Sequence, residues 1–272
     1  MFILYNDQLL LESELRLPLT DRAFQYNDGF FETAILVDGR IRFWQQHQQR
    51  MQEAAEALRL ELPLSLAEGR CEEKLLQLAR QAGAEKYGRI KLKVWRAGAG
   101  LYTPETSRAN WLASITPAAP AVLQPLHLGI CQSVHSVHTP LSGFKGPNAP
   151  LYVLAGLEKQ QRHKDDMLLL NSHGMVAELT SSNIFWLKHN TLYTPDLQTG
   201  CVNGILRRII LKWGSLQRLQ VQEVLQAPEE LLHAEAVFCS NVTGIRAVAS
   251  INGQALRQRD ELLLQLRSNL LL

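Results

Sequence analysis

Apolar and polar positions divide the chain into short strands and a few helices. Phe2–Tyr5 followed by Asn6-Asp7 predicts a strand and a tight turn. Residues 29–37 form a β-rich run ending at Asp38-Gly39, a pair suited to the positive φ angles of a hairpin turn, with 40–43 as the returning strand. Over 45–60 the apolar residues Met51, Ala54, Ala55 and Leu58 share one helical face, and 72–82 repeats that spacing. From Arg89 to Trp95 basic residues alternate with Ile90, Leu92 and Val94, which predicts a strand with one buried face. Residues 111–116 are expected as its antiparallel neighbour.

Prolines at 117, 120 and 125 cannot sit in a helix interior or a central strand, so 117–125 reads as a linker. It separates a smaller N-terminal domain, 1–116, from a larger C-terminal one, 126–272. Beyond it the pattern predicts strands at 128–131, 167–170, 183–187 and 237–240 and helices at 148–162 and 206–216. A terminal hairpin starts at 248–251 and is closed by Asn252-Gly253. Strands and helices alternate without a regular βαβ rhythm, so the fold class is α+β.

Composition narrows the function. A 46% hydrophobic content is enough for a real core and argues against disorder. A net charge of +2 gives no reason to expect nucleic acid or an anionic membrane as partner. Cys71, Cys131, Cys201 and Cys239 are scattered, with no metal-ligand spacing, and read as buried reduced thiols; no metal is expected. The N-terminus lacks a basic n-region, and no apolar run approaches the ~20 residues of a membrane span. A cytoplasmic location is expected.

Candidate chemistry is concentrated between 178 and 207. Glu178-Leu-Thr180-Ser-Ser-Asn183-Ile184-Phe185 is followed by Leu192-Tyr-Thr194-Pro195 and Val202-Asn-Gly204-Ile205-Leu206-Arg207. Upstream, Lys145 lies between Gly143, Gly146 and Pro147, three residues before Asn148. Two N-terminal blocks complete the set: Asp21-Arg22-Ala-Phe24-Gln-Tyr26-Asn-Asp28-Gly29-Phe30-Phe31-Glu32-Thr33 and His47-Gln-Gln-Arg50. Together they resemble the class IV aminotransferases, the fold-type IV pyridoxal-phosphate enzymes, of which D-amino-acid aminotransferase is representative. The resemblance covers nearly the whole chain. Where relatives carry glycine before Asp28-Gly29, this chain has Asn27, which also tolerates positive φ.

The resemblance implies two α+β domains with pyridoxal 5′-phosphate between them, a homodimer whose partner loops help to close the site, and an amino compound as substrate. It makes Lys145 the lysine that joins the cofactor as a Schiff base. It places Glu178 at the ring nitrogen, keeping it protonated, with Asn183 bracing the turn that aims Glu178. The phosphate falls to backbone N–H groups of Gly204, Ile205 and Leu206 at a helix start, to a donor in the Ser240-Asn241 turn, and to Arg50. Of Phe30 and Phe31, strand alternation makes one core and one pocket wall; the resemblance selects Phe31 for the wall. Tyr102 is a further substrate-wall candidate. Arg96 and Arg246 are candidates for substrate carboxylates or, equally, for structural ion pairs.

The substrate wall separates the reactions. Branched-chain enzymes carry a tyrosine after Lys-x-x-Asn; here that place is Ala149, and Tyr152, further along the helix, is expected to face elsewhere. D-amino-acid enzymes carry an Arg-x-His pair that the segment Arg96-Ala-Gly-Ala-Gly100-Leu101-Tyr102 lacks, and Phe31 replaces their tyrosine. With the Asn241-Val-Thr-Gly244-Ile245-Arg246 turn, the pattern is most similar to the aminodeoxychorismate lyases, which convert 4-amino-4-deoxychorismate to 4-aminobenzoate and pyruvate for folate synthesis. The alternatives are a branched-chain or D-amino-acid aminotransferase, or a non-catalytic protein that binds the cofactor on the same fold.

Overall fold

The computed structural model describes residues 1–68 and 70–270. The chain divides into two compact units. One is formed by residues 1–120 with 144–147, the other by 121–143 with the chain from 148 onward. The four residues that include Lys145 thus belong with the N-terminal unit, although they lie inside the expected C-terminal domain.

The first unit contains β1 (Phe2–Tyr5), β2 (Gln8–Leu11), α1 (Arg22–Tyr26), β3 (Gly29–Val37), β4 (Arg40–Ile41), α2 (Trp44–Leu58), α3 (Leu64–Ala67), α4 (Cys71–Gln81), β5 (Tyr87–Arg96) and β6 (Ala109–Pro117). Its strands form an antiparallel sheet in the order β2-β1-β6-β5-β3-β4. The core lies on one face, where Phe30, Leu36, Ile90, Leu92, Val94 and Trp111 pack with Met51, Ala54, Leu75 and Leu78 of α2 and α4. Arg89, Lys91 and Lys93 alternate to the other face, as the 89–95 pattern predicts. The returning strand after Asp38-Gly39 stops at Ile41, because Phe43 takes a left-handed φ of 54° and starts α2. Gly29 is required by a close approach: a Cβ there would overlap Val94 O and meet Trp95 Cα at 2.6 Å.

The second unit contains β7 (Leu126–Ile130), α5 (Ala149–Gln161), β8 (Asp166–Leu170), β9 (Val176–Leu179), β10 (Asn183–Lys188), β11 (Thr191–Pro195), α6 (Ile205–Leu216), β12 (Gln220–Val224), β13 (Ala236–Asn241), β14 (Gly244–Ile251), β15 (Gln254–Ala255) and α7 (Asp260–Asn269). Its mixed sheet runs β12-β11-β10-β13-β14-β7-β8-β9, with β15 paired to β14. The pairs β11/β12, β14/β7 and β7/β8 are parallel. Leu128, Leu168, Val176, Ile184, Trp186 and Val248 fill the core of this unit. The architecture is α+β, as the irregular alternation of elements predicts.

Gly29→Ala should lower stability by about 1–3 kcal/mol, the usual cost of overpacking. An unchanged urea midpoint would show that β3 and β5 can separate to admit the methyl.

Candidate active site

Glu178 and Asn183 stand on either side of one tight turn. β9 carries Glu178, β10 begins at Asn183, and the Leu179 N–H donates to Ser182 O at 2.7 Å to close the turn. Both side chains are buried, Glu178 at 3% exposure. Glu178 Oε1 accepts from the Val202 N–H at 3.1 Å and from the Tyr152 hydroxyl at 2.7 Å. The Tyr152 phenol is pushed up from its ordinary range by burial and then by the charge of Glu178, so it acts as a donor. Tyr152 is thus the residue that motif reading missed. The expectation that it faces elsewhere is corrected: it sits one turn into α5 and points at Glu178.

Asn183 connects this carboxylate to the helix behind it. Its Nδ2 donates to Val202 O at 2.7 Å and lies 3.5 Å from Glu178 Oε2. Its Oδ1 crowds Gly204, where any Cβ would overlap it. Gly204 is the N-cap of α6, and the helix start has no side-chain cap. The side chains of Ile205 and Leu206 are buried in the unit, and their backbone N–H groups lie in the first turn of the helix, where no intrahelical acceptor exists. Ser240 faces Asn183 across the β10/β13 ladder, and its buried Oγ has no hydrogen-bond partner among the described residues. An uncapped helix start beside an orphaned buried hydroxyl is a fit for an anionic group such as a phosphate. Asn241 is a correction. Its amide is spent on the turn, donating to Ser181 O and Ser182 Oγ and accepting from the Thr243 N–H and hydroxyl.

In the N-terminal unit the His47-x-x-Arg50 block meets Glu32. Arg50 Nε and Nη2 donate to the two oxygens of Glu32 at 2.7 and 2.6 Å, and His47 Nδ1 lies 2.6 Å from Glu32 Oε2. All three are buried. Burial alone would raise the Glu32 carboxyl, but Arg50 and His47 outweigh it and hold it at about 2.

The Lys145 turn is templated by β3. The Phe31 N–H donates to Lys145 O at 2.8 Å. Asn27, at a φ of 50°, donates through Nδ2 to Gly146 O at 2.9 Å. Gly146 has a φ of 132° and comes so close to β3 that a Cβ would meet Phe30 Cα at 2.9 Å. Phe30 is core and Phe31 turns to the opposite, half-buried face beside Lys145, which is the division that strand alternation predicts.

The arginine candidates divide. Arg96 is buried and spent: it donates to Asp28 Oδ2 at 3.0 Å and to the carbonyls of Arg59 and Leu58 at 3.1 and 2.6 Å. Its reading as a substrate contact is replaced by the structural one. Arg246 Nε and Nη2 donate to Gln124 O at 3.1 and 2.9 Å and tether the proline-rich segment. Tyr102 is 91% exposed and touches Tyr26, with ring centroids 5.6 Å apart. All four cysteines are free and buried, and burial pushes Cys71, Cys201 and Cys239 up to about 12, which fits inert thiols. Among the described residues there is no His/Cys/Asp/Glu group that could hold a metal ion, and no helix is long and apolar enough to cross a membrane.

Comparison with known proteins finds related sequences and structures over nearly the whole chain. The family described as amino-transferase class IV matches residues 29–251. An aminodeoxychorismate lyase from Vibrio harveyi is 28% identical over 247 residues, covering 88% of this chain and 89% of that protein. A D-alanine aminotransferase from Bacillus licheniformis is 26% identical over 265 residues, covering 94% and 90%. The crystal structure of 4-amino-4-deoxychorismate lyase from Pseudomonas aeruginosa superimposes with a TM-score of 0.86 at 26% identity, covering 98% of both chains.

Arg50→Met should destabilise the cofactor-free protein by about 3–5 kcal/mol, because it strands the buried Glu32 charge. The held-down Glu32 carboxyl contributes stability that is fully present above its ordinary 4.5 and is lost as pH falls from there toward about 2. Acid unfolding curves should therefore show the wild type losing stability in that window and Arg50→Met losing less. Parallel curves would remove the ion pair from the stability balance.

Proposed function

Because the chain belongs to the class IV amino-transferase family, whose members are pyridoxal-phosphate-dependent enzymes, we propose that it is a lyase. It converts 4-amino-4-deoxychorismate to 4-aminobenzoate and pyruvate. The observation that carries this reading is the sheet face beside the Lys145 turn. It presents Phe31 with Lys91 and Lys93, while Arg96, the arginine best placed in sequence to serve an amino-acid carboxylate, is consumed by Asp28 and two carbonyls. The lyase relatives from Vibrio harveyi and Pseudomonas aeruginosa support it. The D-alanine aminotransferase relative supports the second reading, transamination of an amino acid.

The roles follow from the donors present. When bound, pyridoxal phosphate supplies an electron sink for the charge left on a carbon beside the amine. Lys145 anchors the group through Nζ and serves as general base, taking the proton from the amine-bearing ring carbon. Glu178, held by Tyr152 and the Val202 N–H, keeps a proton at the ring nitrogen, and Asn183 fixes the turn that aims it. The N–H groups of Gly204, Ile205 and Leu206 and the Ser240 hydroxyl hold the phosphate, with Arg50 as its charge partner. Loss of pyruvate from the substrate makes the ring aromatic, which drives the reaction forward. The working form is a homodimer, a reading supported by large apolar side chains at the surface, among them Leu19, Phe24, Leu101 and Val153.

A paired assay tests the reading. One arm follows pyruvate release from 4-amino-4-deoxychorismate, and the other follows keto-acid-dependent turnover of leucine and D-alanine. Pyruvate release is expected; transamination without it would overturn the lyase assignment. Lys145→Ala should reduce turnover by about 10²–10⁴-fold from the lost base alone. Glu178→Gln should keep the visible absorbance of the bound cofactor and slow turnover by about 10–100-fold, the equivalent of about 1.5–3 kcal/mol. Full activity in Glu178→Gln would remove it from the ring nitrogen.

A further inference from the structure

Two cations stand on the sheet face beside the Lys145 turn without an ion-pair partner among the described residues. Lys93 lies directly across from Phe31 in the β3/β5 ladder, and Lys91 lies across from Thr33. Lys91 Nζ is 5.4 Å from the centroid of the Phe31 ring. Lys93 Nζ donates to Asn27 Oδ1 at 3.3 Å, and the same Asn27 side chain holds Gly146 O. Lys93 is therefore linked to the Lys145 turn through the Asn27 side chain, and Lys91 lies over the ring of Phe31, whose backbone N–H holds Lys145 O.

A basic strand face is often only a solvated surface, and Arg89 and Lys91 are both exposed on β5. Lys93 differs. It is half-buried, and burial followed by the repulsion of Lys91 lowers it from its ordinary value. The acid that it senses, Asp21, accepts from the Ala23 N–H at 2.8 Å and the Trp95 indole N–H at 3.2 Å and forms no ion pair with the lysine. Two like charges held on alternate residues of one strand, one of them partly desolvated, form an arrangement that an anion with two charges would stabilise.

We propose that Lys91 and Lys93 bind the two carboxylates of a cyclic dicarboxylate amine, and that this pair selects a dianionic substrate over amino acids with one carboxylate. The inference deepens the lyase reading and rests on it for the identity of the substrate: 4-amino-4-deoxychorismate carries one carboxylate on the ring and one on the enolpyruvyl arm. Leucine and D-alanine carry one each. Phe31 between the lysines gives the ring an apolar wall.

The test is a binding measurement that does not depend on turnover. Chorismate, which has a hydroxyl in place of the amine, is titrated calorimetrically into the cofactor-loaded full-length enzyme. Wild type, Lys91→Gln, Lys93→Gln and the charge-keeping Lys91→Arg and Lys93→Arg are compared. The wild type should bind, and more weakly as salt is added; each Gln variant should lose about tenfold or more in affinity, and the Arg variants should retain most of it. With 4-amino-4-deoxychorismate the Gln variants should raise KM more than they lower kcat. Wild-type affinity in both Gln variants, or no chorismate binding by the wild type, overturns the subsite. Lysine-dependent chorismate binding by an enzyme that releases no pyruvate overturns the lyase reading and leaves the subsite standing.

Discussion

The carboxamide of Asn183 is the contact on which the second unit's candidate site is built. It reaches the Val202 carbonyl, lies next to the Glu178 carboxylate and presses its oxygen against Gly204. A single planar group thus sets the distance between a buried carboxylate and the open start of a helix. Both neighbours are constrained in turn. Residue 204 can carry no side chain, and Ser240 is brought opposite by strand register. The Glu-x-Thr-x-x-Asn spacing is the length of one turn plus its two flanking strand residues.

Two buried glutamates show how environment assigns work. Glu32 is gripped by a guanidinium and an imidazole and is held ionised far below the ordinary range. It serves as an internal counter-charge that stiffens Arg50. Glu178 is addressed by a phenol, a backbone N–H and an amide. Those neutral donors orient the Glu178 carboxylate at the β9–β10 turn. The same residue type sits in an ion-pair cluster in one unit and among neutral donors in the other.

Much of this was legible in the sequence. Amphipathic helices and alternating strands announced themselves because each has one wet face, as at Ile90, Leu92 and Val94 against Lys91 and Lys93. The strand β9 did not, since Val176–Leu179 is buried on both faces and shows no alternation. Short edge strands such as Gln8–Leu11 and Gln220–Val224 are nearly all exposed or half-buried and lack an apolar pattern. The terminal helix 260–269 was likewise not read. Motif spacing singled out Glu178, Asn183 and Gly204, which the structure brings together, but their three-dimensional partners stayed hidden. Nothing local in the sequence says that Tyr152 hydroxyl reaches Glu178, or that Arg96 is spent on Asp28 and the end of α2.

The Lys145 turn has a consequence for how this chain can be cut. Residues 144–147 are held by β3, yet 121–143 and the chain from 148 onward belong to the other unit. A fragment ending at Pro120 would keep the Phe31 amide and the Asn27 side chain with nothing to hold. A fragment starting at Ala121 would keep the lysine and lose the strand that shapes its turn. A cut between the two units therefore separates the Lys145 turn from the strand that holds it. Gene fusions, splits or permutations of this chain must keep the 144–147 segment threaded back onto the N-terminal sheet.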